Sequence, residues 1–298
     1  MSQLRVQGHE RVLEALRDIR SSSLLFVGPE GVGRRTSARW YAAFLNCQAA
    51  AKARPCLGCD SCRRFETGHP DYREVSARDT TSTGRQSRRP EIKIGQLVPR
   101  PGDDEPLSSW LEQRPSFRRR VGVIDGAERL TAAAANAFLK MLEEPPSYSS
   151  IILIAPSPQA VLPTIGSRCT VLRFAPVETE GLGPPGHPAH RLGRPGPLLL
   201  PREGSESLLA QVGSYFDALH GDLEGALAAA DLLAERWQEG GWGQEIVESL
   251  REKFRLLPAP LRPQADDLLL ECEEAIAGYS PATLAVRVMT LELRALTN

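Results

Sequence analysis

The chain has 298 residues, about two domains' worth, and is too long for a small scaffold that depends on disulfides. Its 36 lysines and arginines nearly balance 37 aspartates and glutamates, and the net charge of -1 argues neither for nor against a nucleic-acid partner. No apolar run of about 18 residues exists to span a membrane, and the charged start at 1–20 is unlike a secretory signal. We therefore expect a cytoplasmic protein without a membrane partner.

Short apolar runs alternate with helical patterns along the first half of the chain. Apolar residues at helical spacing from Val12 to Ile19 predict a first helix. The continuous run at 24–27 predicts a buried strand, and a second helix follows it. Three further runs have the same character, at 121–124, 151–154 and 171–174. Strands that alternate with helices predict a parallel sheet with helices on both faces.

Two segments between these strands differ in the clarity of their pattern. Residues 131–144 are rich in alanine and predict a helix that is capped by Thr131 and stopped by Pro145 and Pro146. Residues 76–108 hold a polar stretch with several arginines and then several prolines. This second segment predicts long loops.

The composition changes at Pro176. From there to Pro201 the chain is crowded with glycine and proline, which helices and strands tolerate poorly. Residues 176–200 are therefore predicted to be a linker or a much reduced subdomain. Beyond them, four or five helical patterns without a strand pattern predict an all-α domain at 201–298. The first of these patterns comprises Leu208, Leu209, Val212, Phe216 and Leu219.

Four of the six cysteines are close in sequence, with the spacing C-x8-C-x2-C-x2-C: Cys47, Cys56, Cys59 and Cys62. Each C-x2-C step lets a tight turn aim two thiolates at one point, and four thiolates at about 2.3 Å satisfy tetrahedral Zn²⁺. A site with no open position is structural, so we predict a structural zinc knuckle at 47–62. Iron–sulfur ligation and free thiols are the alternatives. Cys169 and Cys272 are isolated and are predicted to be core residues.

The first strand is followed by a glycine-rich segment with Gly28, Gly31 and Gly33. The spacing from Gly28 to Gly33 matches the G-x4-G of a phosphate-binding loop, in which backbone N–H groups cradle phosphates. The side chains that should follow are missing. Arg34 replaces the lysine that contacts phosphate, and Arg35 replaces the hydroxyl that ligates Mg²⁺. Thr36 comes one residue late, about 100° round the helix.

A second nucleotide-binding signal is also incomplete. The strand at 121–124 ends in Asp125, a carboxylate suited to Mg²⁺, but Gly126 follows where a glutamate would activate water. Glu128 is too far round to substitute. Together, the two incomplete motifs after buried strands predict a nucleotide-binding α/β fold.

The combination of motifs resembles the delta-prime subunits of the bacterial DNA polymerase III clamp loader, within the AAA+ superfamily. Five segments follow in the order and spacing of that family: GPEGVGRR, the cysteine knuckle, HPDYREV at 69–75, the run from Val121 to Pro146, and LPTIGSRCTVLRF. The end of the chain resembles the family's last collar helix. The resemblance implies a P-loop AAA+ domain at 1–175 with a parallel five-stranded sheet and the zinc module at 47–62. It also implies a shortened lid at 176–200 and a helical collar for oligomerisation at 201–298.

The most specific of these motifs is the tripeptide Ser167-Arg168-Cys169. In the family, its arginine reaches the ATP site of the neighbouring subunit as an arginine finger, and the matching residue here is Arg168. The chain departs from the family pattern where its own ATP would bind, because the sensor threonine corresponds to Pro156 and the lid is compressed. The resemblance therefore implies a subunit that supplies Arg168 without binding or hydrolysing ATP.

The expected partners, implied by the resemblance, are the clamp-loader ATPase subunits and the delta subunit, bound through the collar, with the sliding clamp and primer–template DNA in the complex. One alternative is an ATP-binding clamp-loader ATPase with an atypical loop, in which Arg34 and Asp125 still hold ATP and Mg²⁺. A free-standing zinc protein that binds nucleic acid is disfavoured by the near-zero charge. The run Arg118-Arg119-Arg120 predicts a solvated loop more strongly than a DNA contact.

Overall fold

A computed structural model describes residues 4–80, 86–100, 102, 104–179, 189, 194, 204–239, 242–277 and 280–297. The chain divides into two compact units, one comprising Met1–Glu180 with Gly193–Gly196 and the other Gly181–Leu192 with Pro197–Asn298. The segment predicted to be a shortened lid, 176–200, lies mostly outside the described residues, so a reduced lid stays a prediction.

The first unit is built on a five-stranded sheet in which every pairing is parallel. Its strands are β1 (Ser23–Val27), β2 (Tyr72–Ser76), β5 (Arg120–Asp125), β6 (Ser149–Ala155) and β7 (Thr170–Arg173), in the order β2-β5-β6-β1-β7. This confirms the five-stranded parallel sheet predicted above. Because β6 lies between β1 and β5, the glycine loop after β1 and Asp125 at the end of β5 are separated by one strand and lie at the carboxyl ends of the strands.

Helices cover both faces of this sheet, as a buried parallel sheet requires. Alternate residues of β1 enter different cores: Leu25 and Val27 pack in one cluster, and Leu24 and Phe26 in the other. The helices of the first unit are α1 (Glu10–Asp18), α2 (Arg34–Asn46), α3 (Asp60–Arg64), α4 (Ile94–Leu97), α5 (Leu107–Leu111), α6 (Ala132–Glu143) and α7 (Pro163–Gly166).

The helix predicted at 131–144 forms as expected. The side chain of Thr131 accepts a hydrogen bond from the N–H of Ala134 at 3.2 Å and caps α6. The helix ends at Glu143, shortly before Pro145 and Pro146.

Two expectations for this unit are wrong. Residues 76–108 are not simply long loops, since they form an antiparallel pair, β3 (Arg78–Thr80) and β4 (Gln86–Glu91), followed by α4 and α5. The N–H of Lys93 donates to Gln96 Oε1 at 3.0 Å and fixes the start of α4. The strand β7 is not a buried strand, because it lies at the edge of the sheet and most of it is exposed. A strand at the edge of a sheet has a neighbouring strand on one side only, so more of it is exposed to solvent.

The second unit is all-α over its described residues, as predicted. Its helices are α8 (Ser205–Ala218), α9 (Leu223–Gln238), α10 (Gly243–Phe254), α11 (Arg262–Ala277) and α12 (Ala282–Thr297). Leu208, Val212, Phe216 and Leu219 of the first predicted pattern lie in its core, as does Cys272. Over the part of the chain that the structure describes, no helix is both long and apolar enough to cross a membrane.

Candidate functional site

The glycine loop connects β1 to the N-terminus of α2, and its glycines have conformations that other residues adopt poorly. A Cβ at Gly28 would lie 2.2 Å from the carbonyl oxygen of Phe174, so no other residue fits there. Gly33 has φ +108°, a left-handed conformation that favours glycine, and it directly precedes α2. Gly31 also has a positive φ, +73°. The sequence therefore places the loop at the N-terminus of a 13-residue helix, where free N–H groups point outward.

Arg34 extends across the end of the neighbouring strand. Its Nη1 donates to the carbonyl oxygen of Ala155, the last residue of β6 and the one before Pro156. Burial lowers the pKa of Arg34, while the charges of Asp125 and Glu128 partly offset that effect. The charge of Arg194, a buried residue of the predicted lid segment, lowers it further. The guanidinium thus lies at the carboxyl end of β6, close to the glycine loop.

Arg35 reaches the carboxylates at the same sheet edge. Its Nε donates to Glu74 Oε2 at 2.7 Å and lies 3.8 Å from Asp125 Oδ2. Arg39 donates from Nε to the other oxygen of Glu74 at 2.8 Å, and the hydroxyl of Tyr72 also donates to that oxygen. Two carboxylates that would suit a divalent cation are therefore neutralised by two arginines of the chain itself.

The charges at this edge depend on burial and on these arginines. Burial opposes ionisation of Glu74, but hydrogen bonds from Arg35, Arg39 and Tyr72 lower its pKa below the ordinary value. Burial raises the pKa of Asp125, an effect that Arg35 opposes and Glu74 reinforces. Thr36 is half-buried between Arg35 and the buried Ser37. Glu74 was not singled out from the sequence, although it lies within the segment HPDYREV.

Arg168 lies at the amino ends of the parallel strands, whereas the glycine loop lies at their carboxyl ends. The parallel strands β1 and β7 pair Leu24 with Thr170 and Val27 with Arg173. The loop leaves β1 after its last residue, whereas Arg168 comes just before β7 begins, so roughly 10 Å of strand separates them. Arg168 is therefore remote from the glycine loop of its own chain.

The contacts of Arg168 keep its guanidinium on the surface near its own backbone. Its Nε donates to Glu143 Oε1 at 2.5 Å, and its Nη1 donates to the carbonyl oxygen of Thr164 at 2.8 Å and to Ser167 Oγ at 3.3 Å. Cys169 packs against the core, and burial raises the pKa of its thiol to about 12. Of the tripeptide, Arg168 thus carries the charge at the surface, and Cys169 is partly buried beside the core where a core residue was predicted.

Two members of the arginine run have structural roles, which corrects the expectation of a solvated loop. Arg119 donates to Ser150 Oγ at 2.7 Å, Ser22 Oγ at 2.8 Å and the carbonyl oxygen of Ser149 at 2.9 Å. The Arg120 guanidinium lies 4.6 Å from the centre of the Trp110 ring. These side chains join the strands and loops at the edge where β5 and β6 begin.

The four clustered cysteines converge as a metal site requires. Their Sγ atoms all lie within 4.8 Å of one another, and those of Cys47 and Cys59 are 3.9 Å apart. Sulfurs bound to a tetrahedral Zn²⁺ stand about 3.8 Å apart, so the set fits a structural zinc ion. Hydrogen bonds from the backbone of Gly58 and Cys59 lower the pKa of the Cys56 thiol to about 6. A lowered pKa favours the thiolate that metals bind.

A histidine connects the cysteine segment to the sheet. The N–H of Asp71 donates to His69 Nδ1 at 3.0 Å, so the neutral ring carries its proton on Nε2 and donates to Ser61 Oγ at 3.0 Å. The carboxylate of Asp71 accepts hydrogen bonds from the N–H groups of Ser116 and Phe117 at 2.8 and 2.7 Å. The start of the segment 69–75 therefore has a structural role, and its end supplies Glu74, the carboxylate that Arg35 and Arg39 bind.

We expect this histidine to make the first unit sensitive to acid. Burial lowers the pKa of His69 from 6.5 to about 4, so the unfolded chain binds the proton more readily than the folded one. The stabilisation is complete above pH 6.5 and is lost as the pH falls toward 4, with a loss of about 2 kcal/mol between pH 7 and pH 5. Urea unfolding of the wild type and His69→Asn at both pH values measures it. An equal loss of unfolding free energy between pH 7 and pH 5 in the two proteins would contradict the assignment.

A family model described as DNA polymerase III, delta subunit, matches residues 12–178. The delta' subunit of Pseudomonas aeruginosa is 34% identical over 147 residues, which cover 49% of this chain and 40% of that protein. The delta' subunit of Bacillus subtilis is 32% identical over 167 residues, 56% of this chain and 46% of that protein. The gamma/tau subunit of Mycobacterium tuberculosis is 35% identical over 144 residues, 48% of this chain and 22% of that protein.

The matched segments span less than half of each of these relatives' own length. A gamma subunit-related protein of Thermotoga maritima has a similar fold, with a TM-score of 0.58 at 16% identity over 97% of this chain and 99% of that one. The family model covers more than half of the chain and includes the glycine loop, the four cysteines, Asp125 and Arg168. The chain therefore belongs to the DNA polymerase III delta subunit family, as a delta-prime-like member.

Proposed function

We propose that this chain is a non-hydrolysing subunit of a DNA polymerase III clamp loader, and that it supplies Arg168 as an arginine finger to the ATP site of a neighbouring subunit. The observation that carries the proposal is the position of Arg168, at the amino ends of the strands, while its own glycine loop lies at their carboxyl ends. From there Arg168 does not reach the glycine loop of its own chain, so a phosphate that it binds would be one held by another chain. ATPase measurements on a reconstituted complex containing Arg168→Ala test the proposal.

The absence of hydrolysis follows from the side chains around the chain's own loop. Arg34 and Arg35 replace the lysine and the hydroxyl, and Arg35 lies between Glu74 and Asp125, where Mg²⁺ would be bound. Gly126 offers no carboxylate to activate water, and Pro156 offers no side-chain donor. Any one of these changes would weaken catalysis, and together they leave ATP neither well bound nor attacked.

The helical unit is the region through which we propose that the chain assembles with the ATPase subunits and the delta subunit. On α12, Leu284, Val288 and Leu291 are spaced four and three residues apart and are about half exposed. This spacing places them on one face of the helix, and an exposed apolar stripe is typical of a protein–protein interface. In the assembled complex the chain would act with the sliding clamp and primer–template DNA.

We expect the protein to contain one zinc ion per chain, bound by the four cysteines. Elemental analysis of protein purified without chelators should find this stoichiometry, and the double variant Cys56→Ser, Cys59→Ser should lose the metal. The matched control is Cys272→Ser, which removes a buried thiol of the second unit and should keep the zinc. Metal-free wild-type protein, or iron with sulfide instead of zinc, would contradict the assignment.

A further inference from the structure

Arg168 is engaged by a carboxylate of its own chain. Two nitrogens of the guanidinium, Nε and Nη2, each lie 2.5 Å from Glu143 Oε1. The third, Nη1, is bound to the backbone oxygen of Thr164. Two nitrogens of the guanidinium must therefore leave Glu143 before they can bind a phosphate.

The position of Glu143 explains why it binds a cation. It is the last residue of α6, and the adjacent Glu144 adds a second negative charge there. The C-terminal end of a helix has a partial negative charge, so a carboxylate is unfavourable at this position unless a cation compensates it. Arg168 supplies that cation from the turn after α7.

The ion pair between Arg168 and Glu143 is exposed enough for another anion to replace the carboxylate. The side chain of Arg168 is 32% exposed and that of Glu143 is 46% exposed. Ion pairs at such exposure are weak because water competes for both partners. A phosphate offers the guanidinium paired oxygens and more negative charge than one carboxylate, and arginine binds it through parallel hydrogen bonds. A phosphate brought close to Arg168 would therefore displace Glu143.

We propose that Glu143 is a positioning residue that holds Arg168 on the surface of its own chain and releases it to the nucleotide phosphate of the neighbouring subunit. This inference rests on the proposed function of Arg168. In the exchange, the hydrogen bonds from Nε and Nη2 to Glu143 break and re-form to phosphate oxygens, while Nη1 stays on Thr164. Glu143 then sets the ATP concentration at which the interface engages, and it does not contribute to the rate once Arg168 is bound.

The test is Glu143→Gln in a clamp loader reconstituted from this chain and its cognate delta and ATPase subunits. The ATP concentration for half-maximal DNA-stimulated hydrolysis should fall by about 1.5- to 5-fold, the range set by an exposed ion pair, with kcat unchanged. The matched control is Glu144→Gln, which removes the same charge from the adjacent exposed residue without removing a contact to Arg168, and it should shift the half-maximal ATP concentration less than Glu143→Gln does, with kcat unchanged. A lower kcat in Glu143→Gln, no shift, or an equal shift in the control would overturn the inference.

Arg168→Ala distinguishes failure of this inference from failure of the proposed function. If Arg168→Ala leaves hydrolysis at the wild-type level, the proposed function is wrong. If it lowers hydrolysis while Glu143→Gln behaves as wild type, only the role of Glu143 is wrong. The double variant Glu143→Gln, Arg168→Ala should show the same ATP dependence as Arg168→Ala, because the carboxylate then has no finger to hold.

Discussion

Replacing Arg168 with alanine should reduce DNA-stimulated ATP hydrolysis at the adjoining subunit's site by on the order of 10³-fold, while the complex still assembles. The physical reason is that the guanidinium stabilises charge that develops on the transferring phosphate, and alanine offers nothing in its place. Single-turnover hydrolysis by the reconstituted complex measures the rate, and size-exclusion chromatography measures assembly. The Arg168→Lys variant should hydrolyse ATP at a rate between those of the wild type and Arg168→Ala, because lysine keeps the charge but loses the paired donors.

The control for this experiment is Arg173→Ala, which removes an exposed arginine from the far end of β7, the strand that follows Arg168. It should hydrolyse ATP at the wild-type rate. Loss of the ion pair between Arg168 and Glu143 should cost about 1 kcal/mol of stability at most, so a folding defect does not account for a large effect. Wild-type hydrolysis in an assembled Arg168→Ala complex would rule out the arginine finger.

The positions of the loop and of Asp125 were predictable because a simple rule connects them to the sequence. Each follows a continuous apolar run, and the carboxyl ends of parallel strands share one edge of the sheet. The glycines of the loop were equally predictable from their spacing. The structure gives the physical reason at Gly28, which lies too close to the backbone of Phe174 for any side chain. Local pattern and strand direction together suffice for such features.

The ion pairs that fill the pocket were not predictable in the same way. Glu74 is 39 residues from Arg35 in sequence, and the two meet only because the sheet places β2 beside β5. The strand order decides this contact, and no local pattern encodes it. Arg119 and Arg120 are similar, because a run of three arginines beside a strand looks solvated until the partners of these side chains in other parts of the fold, such as Ser22 and Trp110, are known.

The antiparallel pair of β3 and β4 was missed for a different reason. Its strands lack the alternation of apolar and polar residues that marks a half-buried strand, and they pair only with each other. In β7, the apolar run was correctly identified as a strand, but its exposure depends on its place at the edge of the sheet. Burial of a strand is a property of its neighbours as much as of its sequence.

The double variant Arg34→Lys, Arg35→Thr should bind ATP in the presence of Mg²⁺ at least about 100-fold more tightly than the wild type. Lysine would extend to the phosphates, and threonine would place a hydroxyl where the metal is ligated. Each restored contact to a charged group is worth about 1.5 kcal/mol, or about 10-fold in affinity. Removal of Arg35 also leaves Asp125 without its nearest cation, and Mg²⁺ would take that place. Titration with a fluorescent ATP analogue measures the binding.

Adding Asp125→Asn to this variant provides the control, because the gain in affinity should then lose its dependence on Mg²⁺. Hydrolysis should stay absent in every variant, since Gly126 supplies no carboxylate to activate water. Tight Mg²⁺-dependent binding by the wild type would show instead that Arg34 and Arg35 do not block the site. The chain would then be an ATP-binding subunit with an atypical loop, and Arg168 would have to be tested as a finger in a subunit that also responds to its own nucleotide.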